Sequence, residues 1–261
     1  MPTTYAHYKF GKEVLSALPR PLQNSIEAHR ELFDIGLHGP DILFYYNALK
    51  KDPVNEQGHT LHEQFADEFF HHAVEVIEKA KDPAAARAYI YGFICHFALD
   101  SECHPYVEKI MQVGRMMLTE DYHDPLRYLT AKHIQPKMEY AEVIAPFFKD
   151  VTAEQIYKAL KGMVFYHKLF LAPTSGKRKA LFLGMKAVGK YDSLHDIVMS
   201  VKPDPLCQKY CKVLKRQYSG AVPLAASLIV QYQKKLFQDT PLPERFHETF
   251  GAGEEWEKLR L

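Results

Sequence analysis

The stretch His96-Phe-Ala-Leu-Asp100-Ser-Glu-Cys-His104-Pro105, "HFALDSECHP", sets histidine, aspartate and histidine at successive steps of four residues. It closes a run, "AYIYGFICHFAL", that is otherwise apolar. On an α-helix each step of four turns about 400°, so the three side chains drift by only about 40° per step and share one stripe. Neighbours in such a row come close enough to share one ion. A lone histidine in this setting reads as a hydrogen-bonded core residue; three metal-capable groups in register weaken that reading. Asp100 sharpens it further, because an isolated carboxylate among apolar side chains is strongly disfavoured unless it is paired or holds a cation.

Outward from this helix the periodicity is helical almost throughout, and alternating segments of strand length are hard to find, so the expected fold class is all-α. Asp82-Pro83 supplies an N-cap and a first-turn proline for a long helix to about His104, where Pro105 ends or kinks it. Upstream, the spacing predicts a helix near Gln23 to Ile35, a loop "LHGPD", a short helix from Asp41 through "ILFYYNALKK", a polar loop "NEQGH", and a helix from Leu61 to Ala80. Downstream, Asp124-Pro125 opens a helix toward His133, and Thr152 with Gln155 forms a capping box for a helix from Ala153 to Leu171. "PTSGKRK" reads as an exposed connection, followed by helices near Ala180 to Lys190, Pro205 to Gln217 and Val222 to Gln238, and a tail from Pro243.

The 261 residues, 47% apolar and 25% charged, suit one domain spanning residues 1–261 with ample material for a core. A net charge of +1 offers no broad attraction to nucleic acid or anionic membrane, although local patches can exist under a neutral total. Sequence-specific nucleic-acid binding is not expected. No apolar run approaches the roughly 18 to 20 residues that span a bilayer, and the N-terminus lacks the apolar centre of a secretory signal, so a cytoplasmic location is expected. Cys95, Cys103, Cys207 and Cys211 form no CxxC pair and read as reduced thiols. The fourteen histidines are the unusual feature.

One stripe cannot close a coordination sphere. His7, His38, Asp41, His59, His62 and His133, near loop-to-helix junctions, are candidates for completing it. A His/Asp donor set suits zinc better than magnesium or calcium. Glu68-xx-His71 and Glu244-xx-His247 match the ExxH pattern of ferritin-like di-iron bundles, but Glu68 and His71 read more simply as the wet side of an amphipathic helix. His123-Asp124 and His195-Asp196 match a two-letter doublet of helical phosphohydrolases. "GKRK" reads as a solvated turn, or as a contact for a phosphate or headgroup.

"TYAHYKFG", "GPDILFYY", "LHEQ" and "HFALDSECHP" together resemble the zinc-dependent phospholipase C family and, more distantly, the P1/S1-type nucleases that share its helical fold. The similarity covers about residues 3 to 140. It implies an all-helical fold and two or three zinc ions. Asp41, His62, His96 and Asp100 would hold one zinc, with His59 competing for the place of His62. Asp100 would bridge to a second held also by His7, and His104 would join His133 and Glu139 on a third, with Glu142 or His123 as substitutes for Glu139. The family's N-terminal amine is also a ligand, a part that Pro2 would take after removal of Met1. The implied chemistry is hydrolysis of a small phosphate-ester or phospholipid substrate by an activated water, which Asp41 orients or deprotonates. Tyr5, Tyr8, Phe44 and Tyr45 line a substrate pocket or belong to the core. A non-catalytic zinc-binding helical protein is the alternative.

Overall fold

A computed structural model describes residues 3–112, 133–172, 174–195, 198, 208–253 and 255–259. Among them every regular element is helical: α1 (Thr4–Ala17), α2 (Arg20–Glu27), α3 (Arg30–Gly36), a 3-10 turn (Gly39–Tyr45), α4 (Pro53–Glu63), α5 (Ala66–Lys79), α6 (Pro83–Gln112), α7 (Met138–Ile144), α8 (Ala153–Phe170), α9 (Ser175–Ala187), α10 (Tyr191–Leu194) and α11 (Gln208–Gln238). The expectation of an all-α chain holds.

Helix α6 is the axis of the core. Asp82 caps it, its Oδ1 accepting from the amides of Ala84 and Ala85 at 3.1 and 3.0 Å. Tyr89, Ile90, Phe93, Ile94, Phe97 and Ala98 are fully buried or nearly so. Burying each large side chain of this kind contributes about 1.5–3 kcal/mol. α3 crosses one face of α6 and α11 packs against another. Phe70 and Phe246 pack at 4.1 Å between ring centres, and Phe97 and Phe250 at 5.0 Å, joining α5 and the C-terminal tail to the same core. A small satellite cluster, Ala172, Met185 and Val198 with Phe170 and Phe182 against it, lies apart.

The crossing of α3 on α6 is made by two glycines. A Cβ on Gly36 would lie 2.1 Å from the carbonyl oxygen of Tyr89, and one on Gly92 would lie 2.2 Å from that of Phe33. Only bare backbone lets the two helices approach this closely. The crossing delivers the chain after α3 onto the His96 face of α6.

Several elements differ from the sequence reading. Thr4–Ala17 is a helix that was not anticipated; Thr3 caps it, its Oγ1 accepting from the amide of Ala6 at 3.3 Å. The expected helix from Gln23 to Ile35 is two, broken at His29 (φ −131°, ψ 40°). "NEQGH" is not a loop but the body of α4. Asp52-Pro53 opens α4 by the same Asp-Pro device that opens α6, and Asn55 completes a capping box. The last two expected helices are one continuous α11 with Pro223 inside it, because packing on α6 outweighs the local cost of the proline. Pro105 likewise sits inside α6 rather than ending it. The helix expected from Asp124 lies outside the described residues, as do Met1 and Pro2. Cys95 and Cys103 are buried free thiols.

Gly92→Ala is expected to destabilise the protein by about 1–3 kcal/mol, because the backbone must part to admit one methyl group. Urea denaturation would measure it, with Gly184→Ala as a control at a site where an added Cβ meets nothing within 4 Å.

Candidate metal centre

Asp100 is completely buried in α6, and four imidazoles surround it. The Nε2 atoms of His96 and His104, one helical step to either side, each lie 3.2 Å from its Oδ2. From α4, His62 Nε2 lies 3.6 Å from the same oxygen and 3.2 Å from Asp41 Oδ1. From α1, His7 Nε2 lies 3.2 Å from Asp100 Oδ1. The ring of His7 stacks on that of His96 at 4.4 Å, and His62 stacks with His104 at 5.9 Å.

None of these contacts has hydrogen-bond geometry. Both oxygens of Asp100, Oδ1 of Asp41 and the Nε2 atoms of His7, His62, His96 and His104 are buried without a hydrogen-bond partner. Buried polar atoms are almost always satisfied, so seven orphans converging on one place require a cause. Donors of this kind converging in one place make a candidate cation site. Single donor atoms of His7, Asp41 and His96 lie within 4.8 Å of one another, and so do those of His62, His96 and Asp100. The two triads overlap at His96, and their nitrogen-plus-carboxylate donors suit zinc.

The surrounding backbone fixes which ring nitrogen faces inward. His62 Nδ1 donates to the carbonyl of Gly58 at 2.7 Å, and His96 Nδ1 donates to that of Leu37 at 3.3 Å. With Nδ1 carrying the proton, each Nε2 presents a lone pair to the centre. Leu37 stands at the end of the Gly36–Gly92 crossing, so that crossing also sets the His96 tautomer. Gly39 then takes φ +47°, and a Cβ there would lie 2.3 Å from the His96 ring. The left-handed turn passes under the imidazole and carries Asp41 to the centre, two residues on.

The charges in the metal-free centre are those of a site built for a cation. Burial alone would raise both carboxyl groups. The neighbouring imidazoles outweigh it and hold Asp41 below, and Asp100 well below, the usual carboxylate range. For His62, burial lowers the pKa, but the negative charge of Asp100 and Asp41, 3.6 and 3.2 Å away, prevails and pushes it up to about 10. His7 is lowered, first by burial and then by His96. A proton on His62 thus does part of what a metal ion would do.

Of the residues singled out in the sequence, the fold brings His7, Asp41, His62, His96, Asp100 and His104 together. The rivalry between His59 and His62 resolves by helix phase: His62 is buried at the centre, whereas His59 points outward and stacks on Phe44 at 4.4 Å. Among the described residues the expected third ligand group does not come together. Glu139 stands at the first turn of α7, its side chain 67% exposed and 3.4 Å from Lys137. Glu142 is exposed as well, and His123 lies outside the described residues. His133 turns away from His104 to His38, with 2.7 Å between their Nε2 atoms, and Tyr8 stacks on it at 4.1 Å. Burial first, then the neighbouring imidazoles, hold His38 well below its ordinary value, and burial takes His133 down to about 3. This neutral pair was not foreseen, since only folding joins two histidines 95 residues apart. Glu68 and His71 are exposed on α5, and His247 is bound to Asp67 at 2.6 Å, so the ExxH pairs build no di-iron site.

The C-terminal tail walls the centre. The amide of Gly251 donates to the carbonyl of His62 at 2.8 Å, and Phe250 lies 6.1 Å from the ring of His62 and 6.2 Å from that of His96.

Helices gathered around a buried His/Asp cluster form a candidate metal centre in an all-α chain. The family described as "Zinc dependent phospholipase C" matches residues 6–145, and the chain belongs to it. No curated protein and no solved structure matches the chain.

Zinc binding at neutral pH must displace the His62 proton, so affinity should rise with pH and about one proton should be released per protein at pH 7. Titration calorimetry in buffers of different ionisation enthalpy measures that number. In the chelated protein the raised His62 contributes stability that is full below its unfolded value of 6.5 and is lost as pH rises through about 10. The depressed carboxyl groups contribute above 3.8 and fail as pH falls below it. Thermal melts of the chelated protein should therefore weaken at both ends, and Glu139→Gln should leave bound zinc, by elemental analysis, unchanged.

Proposed function

We propose that this protein is a zinc-dependent phosphoric ester hydrolase of the phospholipase C type that cleaves a phosphodiester, of phospholipid or nucleotide kind, by an activated water. The observation that carries the reading is the set of seven orphaned donor atoms around Asp100, together with the family of residues 6–145. His7, Asp41, His62, His96, Asp100 and His104 would hold two or three zinc ions. Zinc, when bound, lowers the pKa of a coordinated water to about 7 and sets positive charge beside developing oxyanions.

The chain's own residues do the rest. Asp100, with both oxygens free of hydrogen bonds, offers one to the His7 side and the other to the His62, His96 and His104 side. Asp41 Oδ1 has no hydrogen-bond partner and is the carboxylate placed to orient water and take its proton. Its depressed pKa keeps it ionised at neutral pH. Phe250 and Phe93, 6.2 and 6.3 Å from the His96 ring, exclude bulk water from one side, which strengthens every charge interaction within. Phe44, stacked on His62 at 5.5 Å, and Tyr45 at the end of the 3-10 turn are candidates for a substrate wall, whereas Tyr5 belongs to the core.

The exposed position of Glu139 favours one second reading, a zinc-binding helical protein without turnover, because the third expected ligand group is incomplete. Purified protein would be assayed on a chromogenic phosphodiester, a phosphomonoester and a phospholipid panel, before and after chelation and zinc return. Hydrolysis abolished by chelation and restored by zinc supports the enzyme. Zinc bound in stoichiometric amount with no turnover on any panel supports the scaffold. In the enzyme, Asp41→Asn should lower kcat by about 10²–10⁴-fold while the fold, followed by circular dichroism, is kept.

A further inference from the structure

From Gln155 to Tyr191 the sequence carries eight lysines and arginines and no aspartate or glutamate, in a chain whose net charge is +1. The remainder is therefore acidic by seven charges. α8 concentrates this asymmetry on one side. Its exposed positions after the first turn are Lys158, Lys161, Phe165 and Lys168, at spacings of three, four and three. At 100° per residue these fall within about 80° of one another. The opposite side of the helix carries the buried Ile156, Ala159, Leu160 and Met163. Such a helix would ordinarily present lysine and glutamate to water; this one presents lysine around a phenylalanine that is 59% exposed.

Beside the stripe lies a shallow groove of about 590 Å³, with Lys50, Leu49, Lys161, Phe165 and Tyr166 among its walls. Leu49 is 64% exposed. The groove also touches Tyr45, which ends the 3-10 turn that bears Asp41, and Tyr45 packs on Tyr166 and His167 at 6.3 and 5.5 Å. Apolar anchors ringed by lysine, with no acidic residue interspersed along α8 beyond its first turn, suit one kind of partner. Lysine heads meet anionic headgroups while Phe165 and Leu49 enter the acyl boundary.

We propose that the α8 stripe and the adjoining groove form a peripheral docking surface for an anionic phospholipid bilayer, which brings the metal centre to a membrane interface. No helix among the described residues is long and apolar enough to cross a membrane. Its purpose rests on the phosphodiesterase reading above, whereas its binding is measured without turnover. A protein that docks but hydrolyses nothing loses the hydrolase and keeps the surface; one that hydrolyses soluble phosphodiesters but ignores vesicles does the reverse.

The test is co-sedimentation of the full-length zinc-loaded protein with vesicles of equimolar phosphatidylglycerol and phosphatidylcholine, against phosphatidylcholine alone. Preferential, salt-sensitive binding to the anionic vesicles is expected. Each lysine at an anionic surface strengthens binding about fivefold, so Lys158→Glu/Lys161→Glu/Lys168→Glu should weaken it by about a hundredfold or more. Phe165→Ser should weaken it about tenfold while leaving the electrostatic component. Zinc content and hydrolysis of a soluble phosphodiester should stay unchanged in both variants. No preference for anionic vesicles, or a triple variant that binds as well as the parent, overturns the proposal. So does tight binding of a single-stranded oligonucleotide that is lost in the same variants while vesicle binding is not.

Discussion

A carboxylate with no exposure to solvent, Asp100, governs this structure. Removing such a charge from water costs several kcal/mol, and nothing in the apolar body of α6 returns it. The remedy is a ring of imidazoles drawn from three helices. His96 and His104 come with the helix itself, His62 is set by α4, and His7 by α1. The helices around α6 can be read as devices for presenting a nitrogen, or an aspartate, to one oxygen pair. Without a cation the ring falls back on a proton, which explains why His62 is held so basic while His7, among the same neighbours, is held the other way.

The backbone converts that electrostatic demand into directed bonds. Gly36 and Gly92 let α3 lie directly on α6, which places the Leu37 carbonyl where His96 must donate to it. The left-handed Gly39 then turns the chain under the imidazole, and Asp41 follows. Tautomer, ring plane and carboxylate position thus descend from one helix crossing. Comparable economy appears in α4, where Gly58 both clears space for Phe44 and offers its carbonyl to His62.

Much of this could be read in the sequence, for a definite reason. The His96–Asp100–His104 stripe is local, so helical geometry alone aligns it, and the apolar run around it announces burial. Asp82-Pro83 and the Thr152/Gln155 box were legible as caps because capping is chemistry between near neighbours. The failures share the opposite character. "NEQGH" reads as a loop because it is polar, yet burial of Val54 and His62 makes it part of a helix. Glu139 follows only from the family resemblance, and no local rule says where His133 turns. It turns to His38, and that meeting is a property of tertiary packing. Tyr8 and Phe250 join the site's surroundings in the same way, at distances along the chain where spacing carries no information.

The wall made by Phe250 and Gly251 lies about a hundred residues beyond the stretch that carries the family likeness. Ligands and enclosure therefore occupy different parts of the gene product, one inherited with the family pattern and the other supplied by the chain's distal end. Change in this segment would therefore alter the dielectric around the candidate donors while leaving all six of those side chains as they are.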